Sequence, residues 1–193
     1  HRPIIAILRG LTPSECLPIS NALIQAGISL IEVPMNSQHA LVSVSRMQTE
    51  YGSRAIFGAG TLTTNEQLKM LADCGADLAI SPHCDTELIR AALSLDLIPC
   101  PGVLTPSEAF AAIRAGATNL KLFPASLLTV SGFKALKAVL PENIKCWAVG
   151  GVSGSMFGEW LAAGINGFGV GSALYKPGWS PTQVQAAAEI LVQ

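Results

Sequence analysis

The sequence predicts an α/β fold of the (β/α)8, or TIM-barrel, class, and three observations predict it. Short apolar runs alternate with helical stretches along the whole chain. Four of those stretches close on a small residue plus glycine just before the next apolar run: Ala26-Gly27, Cys74-Gly75, Ala115-Gly116 and Ala163-Gly164. Glycine there supplies the left-handed cap that ends a helix. The units total eight strands and eight helices. Strands that are short, apolar and separated by helices pair in parallel. A doubly wound open sheet is the competing arrangement, but no G-x-G-x-x-G opens the first helix. The chain has 193 residues, 50% of them hydrophobic, enough for one well-buried core. One domain spanning residues 1–193 is therefore expected.

The elements follow in order. Ile4 to Leu8 is the first strand. A helix is expected from about Pro13 to Ala26, with Thr12 as N-cap and Glu15 in the capping-box position. Leu30 to Val33 is a strand stopped by Pro34. Gln38 to Thr49 reads as a helix, and Arg54 to Phe57 as a strand ending in Gly58-Ala59-Gly60-Thr61. Asn65 opens a helix that stops at Cys74. Asp77 to Ile80 is a strand ended by Ser81-Pro82. Thr86 to Leu95 is helical, and Leu97 to Cys100 is a strand ended by Pro101-Gly102. Thr105-Pro106-Ser107-Glu108 opens a helix closing at Ala115. Asn119 to Phe123 is a strand, with a helix around Phe133 to Val139 after it. Ile144 to Val149 is a strand ended by Gly150-Gly151, followed by a helix from Met156 to Ala163. Gly167 to Val170 is the last strand, leading to Gly171-Ser172 and a final helix from about Pro181.

Composition excludes several classes of function. Charge is nearly balanced, 12 Lys+Arg against 13 Asp+Glu, so no basic patch suggests nucleic acid. The five cysteines, Cys16, Cys74, Cys84, Cys100 and Cys146, are scattered and form no CxxC pair. They read as reduced structural thiols of a cytoplasmic protein rather than disulfides or metal ligands. No apolar run approaches the ~18 residues that span a membrane, and no signal peptide is visible. The chain begins at His1 rather than Met, so residues preceding it are expected.

In such a barrel, functional residues gather where strands end. Those positions are Arg9, Glu32, Asn36, Thr61, Ser81, Pro101, Gly102, Lys121, Phe123, Gly150, Gly151, Gly171 and Ser172. One amine, one carboxylate, one guanidinium and two glycine loops suit Schiff-base chemistry on a small anionic carbonyl compound. Lys121 is the centre of the set. A lysine inside a short apolar strand is costly to bury charged, and Phe123-Pro124 ends the strand instead of leading the charge outward. The bland alternatives are a snorkelling lysine, a surface-paired Glu32, a rim charge at Arg9 and plain turns at the glycines. Gly150-Gly151 and Gly171-Ser172 end the seventh and eighth strands, where backbone N–H groups form the usual phosphate site of barrels. Glycine lets the main chain approach phosphate oxygens closely.

Several segments together resemble one family: IEVPMNS around Glu32, FGAGTL around Thr61, ISP at Ile80 to Pro82, CPGVLTPSEA from Cys100, LKLFPAS around Lys121 and AVGGV from Ala148. The chain is similar, along nearly its whole length, to bacterial class I aldolases. These cleave 2-keto-3-deoxy-6-phospho sugar acids to pyruvate and glyceraldehyde 3-phosphate. The resemblance implies that Lys121 forms the Schiff base and Glu32 moves the protons. It also implies a homotrimer of barrels with no metal or other cofactor. Within the family, the chain leans toward the branch acting on the galactonate epimer. Gluconate enzymes typically carry Arg where this chain has Asn36 and Thr where it has Val149; the Ile-Leu-Arg-Gly that ends the first strand also fits the galactonate branch. Arg9 would then bind the pyruvyl carboxylate, with Thr61 and Ser81 adding hydrogen bonds. The CPGVLTPSE segment is closer to gluconate enzymes. A phosphosugar isomerase or epimerase on the same barrel, and a non-catalytic phosphosugar-binding protein, are the alternatives from other classes.

Overall fold

The computed structural model describes residues 2–193, so the expectation about residues before His1 lies outside them. The strands are β1 (Ile4–Ile7), β2 (Leu30–Pro34), β3 (Ile56–Gly60), β4 (Leu78–Ile80), β5 (Ile98–Cys100), β6 (Gly102–Val103), β7 (Asn119–Leu122), β8 (Lys145–Val149) and β9 (Gly167–Val170). The helices are α1 (Cys16–Gln25), α2 (Ala40–Tyr51), α3 (Asn65–Asp73), α4 (Thr86–Ser94), α5 (Pro106–Arg114), α6 (Ala125–Lys137), α7 (Phe157–Ala162) and α8 (Pro181–Val192), with a 3₁₀ turn at Gly154–Met156.

All strand pairs are parallel, in the order β5-β4-β3-β2-β1-β9-β8-β7-β6. The two ends of that order, β5 and β6, flank Pro101 in the sequence. They are one stave interrupted at the proline, which has no N–H to give. The first half pairs with β4 and the second with β7. The Lys121 N–H donates to the Pro101 carbonyl at 2.9 Å, across the interruption. The ring thus closes as the eight-stave (β/α)8 barrel, with nine segments instead of the eight strands expected.

Period-2 alternation divides the core in two. Ile4, Ala6 and Leu8 of the first stave face the helices, as do Ile31, Val33, Leu120 and Leu122. Ile5, Leu78, Ile80 and Cys100 form a separate cluster inside the barrel, with Leu30 and Trp147 packed on it. The inward face of β9 carries no side chain at Gly169. A Cβ there would stand 2.7 Å from Val149 Cγ2. The bare strand is what lets Val149 lean into the barrel.

The helix ends bear out the sequence reading. Gly27, Gly75, Gly116 and Gly164 all take positive φ, at 91°, 69°, 105° and 87°. Thr105 and Glu108 form a complete capping box, with Pro106 in the first turn of α5. The third strand runs Ile56–Gly60 rather than Arg54 to Phe57, taking in the glycines expected to end it, and three helices start elsewhere than expected. The first helix begins at Cys16, not Pro13, because the Glu15 N–H bonds the Thr12 carbonyl at 3.1 Å and residues 12–15 form a turn instead of a cap. Left-handed His39, φ 52°, delays the start of α2 to Ala40. The helix after Lys121 starts at Ala125 and breaks at Thr129 (φ 61°, ψ 167°), whose hydroxyl caps the second piece by accepting the Gly132 N–H at 3.3 Å.

Candidate active site

Lys121 and Glu32 are inward members of alternating strands. In β7, Leu120 and Leu122 face the helices and Lys121 faces the barrel axis at 7% exposure. In β2, Ile31 and Val33 face out and Glu32 faces in at 2% exposure. Both line one packed void with Ile5, Ile80, Cys100 and Trp147 beneath them. The apolar floor sets the electrostatics. Burial lowers the pKa of Lys121, while the charge of Glu32 and the Cys100 group act to raise it again. Burial also drives Glu32 up to about 7, against the opposing pull of Lys121, Arg9 and a backbone hydrogen bond from Gly60. Desolvation is the largest cause in both cases, so each group is shifted toward its neutral form.

Gly60 forms the seat of the carboxylate: any side chain at that position would overlap Glu32. The Glu32 Oε2 has no hydrogen-bond partner. A buried, unpaired carboxylate oxygen at the foot of an open cleft is available to a proton on a bound molecule. The Lys121 Nζ lies 4.5 Å from the centre of the Phe123 ring, and the Phe123–Pro124 bond is cis.

Above the pair opens a cleft of about 730 Å³. Of the residues expected from the sequence, Arg9, Glu32, Asn36, Thr61, Lys121, Phe123, Val149, Gly150, Gly151, Gly171 and Ser172 all line it. The Arg9 Nη1 donates to the Asn36 Oδ1 at 2.5 Å. Thr61 sits in the left-handed region, φ 57°, an uncommon state for a β-branched residue. Gly150 and Gly151 have φ of 87° and 76°, and Gly151 packs so closely on Ser126 that a Cβ would stand 2.6 Å from the Ser126 Cβ.

Three residues expected from the sequence, Ser81, Pro101 and Gly102, do not line the cleft; Gly102 lies against the Pro82 carbonyl, where a Cβ would stand 2.3 Å from the oxygen. Ser81 follows inward Ile80 and Pro101 follows inward Cys100, so alternation turns both outward. They lie with Leu62, Leu68, Leu88 and Ile89 in a pocket between the staves and α3 and α4. The Ser81 hydroxyl donates to the His83 carbonyl at 2.8 Å. Pro82, one residue on, reaches the cleft. Ser153 and Ala173 also line it without having been named from the sequence. Both continue the glycine loops by a residue or two, the only signal that could have found them. Among the described residues no group of His, Cys, Asp and Glu could hold a metal ion, and no helix is long and apolar enough to cross a membrane.

The family model for KDPG and KHG aldolase matches residues 1–189. The chain belongs to the KDPG and KHG aldolase family. As an aldolase it is a lyase of sugar-acid metabolism, in agreement with the sequence reading. It is 46% identical over 188 residues to the probable 2-dehydro-3-deoxy-6-phosphogalactonate aldolase of Rhizobium meliloti strain 1021, covering 97% of this chain and 89% of that one. It is 45% identical to the 2-dehydro-3-deoxy-6-phosphogalactonate aldolase of Escherichia coli K12, covering 96% and 92%. Superposed on a solved native KDPGal structure, the fold gives a TM-score of 0.96 at 43% identity, over 98% of this chain and 92% of that one. The solved aldolase thus shares this barrel over nearly the whole chain.

Proposed function

We propose that this chain is a class I aldolase that cleaves 2-dehydro-3-deoxy-6-phosphogalactonate to pyruvate and D-glyceraldehyde 3-phosphate. One barrel domain spanning residues 1–193 carries the reaction. The observation that carries the reading is the buried pair, Lys121 and Glu32, under a cleft rimmed by glycine loops. The names of the two relatives favour the galactonate substrate.

The chemistry follows from the pair. Burial lowers the pKa of Lys121 and so favours its neutral amine, the form that attacks the C2 ketone of the keto acid. Loss of water from the carbinolamine leaves an iminium ion, which accepts electrons as the C3–C4 bond breaks. Glu32 takes the C4 hydroxyl proton as glyceraldehyde 3-phosphate leaves. A carboxylate with a pKa of about 7 is matched to taking and returning a proton at neutral pH. The enamine is then protonated at C3, and hydrolysis of the imine releases pyruvate. Arg9 holds the pyruvyl carboxylate, Thr61 and Phe123 flank the keto acid, and the backbone at Gly150, Gly151, Gly171 and Ser172 receives the phosphate. Ser81 and Pro101 lie behind the staves, away from the cleft, so the hydrogen bond expected from Ser81 to the keto acid is not part of the proposal. The proposal includes a cytoplasmic homotrimer that works in galactonate degradation without metal or cofactor.

Val149 is the proposed discriminator of the epimers, which differ only in the face of C4 that carries the hydroxyl. It is buried, lines the cleft floor and adjoins Gly150. Its isopropyl group desolvates a hydroxyl pointed at it, whereas Thr has nearly the same shape and can bond one. The test measures pyruvate release from both six-carbon epimers by the wild type and Val149→Thr. The galactonate epimer is expected to be the better wild-type substrate. The variant should move the kcat/KM ratio about three- to tenfold toward the gluconate epimer, the worth of one neutral hydrogen bond. No pyruvate from either epimer would overturn the aldolase reading, and an unchanged ratio would remove Val149 from the role.

A further inference from the structure

The turns that follow β1 and β2 are tied together at two points beside the cleft. Besides the Arg9–Asn36 bond, the Gly10 N–H donates to the Ser37 Oγ at 2.9 Å. Ser37 is 6% exposed, and its own N–H donates to the Pro34 carbonyl at 2.8 Å, closing the turn at the end of the strand that carries Glu32. On the other side, Gly10 takes φ of 84° and packs on Pro177, with 2.8 Å between its would-be Cβ and the proline Cγ. The backbone under Arg9 is therefore held from both flanks, while its guanidinium, on a long exposed side chain, is held by Asn36.

We propose that Asn36 and Ser37 are positioning residues: they fix Arg9 in the orientation that meets the keto-acid carboxylate, and Asn36 acts through Arg9 rather than on the substrate. This rests on the functional reading above. Arg has only donors, so the atom of Asn36 that faces it is the amide oxygen. That oxygen cannot also serve a substrate carboxylate, which is itself acceptor-only. A free guanidinium must give up several rotamers to grip a carboxylate, and a partner that restricts it beforehand lowers that cost. A neutral amide orients the guanidinium without neutralising it. An aspartate at position 36 would hold Arg9 more tightly but would set a second negative charge against the incoming carboxylate.

The test titrates pyruvate against borohydride-trapped imine, read as intact mass, in the wild type, Asn36→Ala, Asn36→Asp, Arg9→Met and the Asn36→Ala/Arg9→Met double variant. Asn36→Ala is expected to raise the half-saturating pyruvate concentration about three- to tenfold, and Asn36→Asp to raise it further. The double variant should match Arg9→Met within about twofold, because the lost contact acts only through Arg9. In the synthesis direction, Asn36→Ala should leave the half-saturating glyceraldehyde 3-phosphate concentration at the wild-type value. Equal affinity in Asn36→Ala and wild type would overturn the inference. So would a double variant whose shift is the product of the two singles, or wild-type affinity in Asn36→Asp. A wild type that traps no pyruvate at any concentration would overturn the functional reading as well, and no other outcome of this titration would.

Discussion

Glu32 is a carboxylate in an apolar seat, and its position has opposite effects on catalysis and stability. In the unfolded chain the group titrates near its ordinary 4.5, and in the barrel near 7. Between those values the folded state holds a proton that the unfolded chain has released. Stability therefore falls as pH rises through the window. Above it, the burial of the charge costs roughly 3 kcal/mol. Glu32→Gln removes the charge and keeps the size. Turnover is expected to fall by about 10²- to 10⁴-fold, while denaturant unfolding at pH 8 should show a more stable protein than wild type, with the difference vanishing by pH 4. Wild-type turnover would exclude Glu32 from the proton step. A variant no more stable at pH 8 would contradict the account of its burial.

At the scale of elements, helix α5 tests whether the scaffold and the chemistry are separable. Its capping box joins Thr105 and Glu108, the Glu108 carboxylate is held below its ordinary pKa by backbone N–H groups of Leu104 and Thr105, and no residue of the helix lines the cleft. Thr105→Ala should cost about 1 kcal/mol of unfolding free energy and leave kcat/KM for the sugar acid unchanged; a loss of activity at equal fold would show that α5 reaches the site. That box was legible in four consecutive residues. The first helix carried the same kind of signature at Thr12 and Glu15, and there it misled. The two side chains do meet, but Glu15 gives its N–H to the Thr12 carbonyl, so the signature marks a turn. The helix after Lys121 was half missed because a break at Thr129 interrupts the apolar period that would have announced it. Capping chemistry is local and readable, whereas a non-helical residue inside a helix depends on what surrounds it.

At the scale of the molecule, the barrel brings residues from seven staves and their loops to one end. Counting strand ends found most of the cleft, because the fold guarantees that those ends converge. Side-chain direction was less legible. Ser81 and Pro101 are at strand ends like Lys121, yet each follows an inward residue and so faces the helices. The phase of the alternation was readable in principle from Ile80 and Cys100. The split of one stave at Pro101 also needed the structure, since a proline between two short apolar runs reads equally as the end of a strand. The central claim is that Lys121 is the nucleophile. Borohydride reduction in the presence of pyruvate, followed by peptide mass analysis, tests it most directly. One reduced pyruvyl adduct on the peptide containing Lys121, absent in Lys121→Ala, is the expected result; an adduct on another lysine, or none, would contradict it.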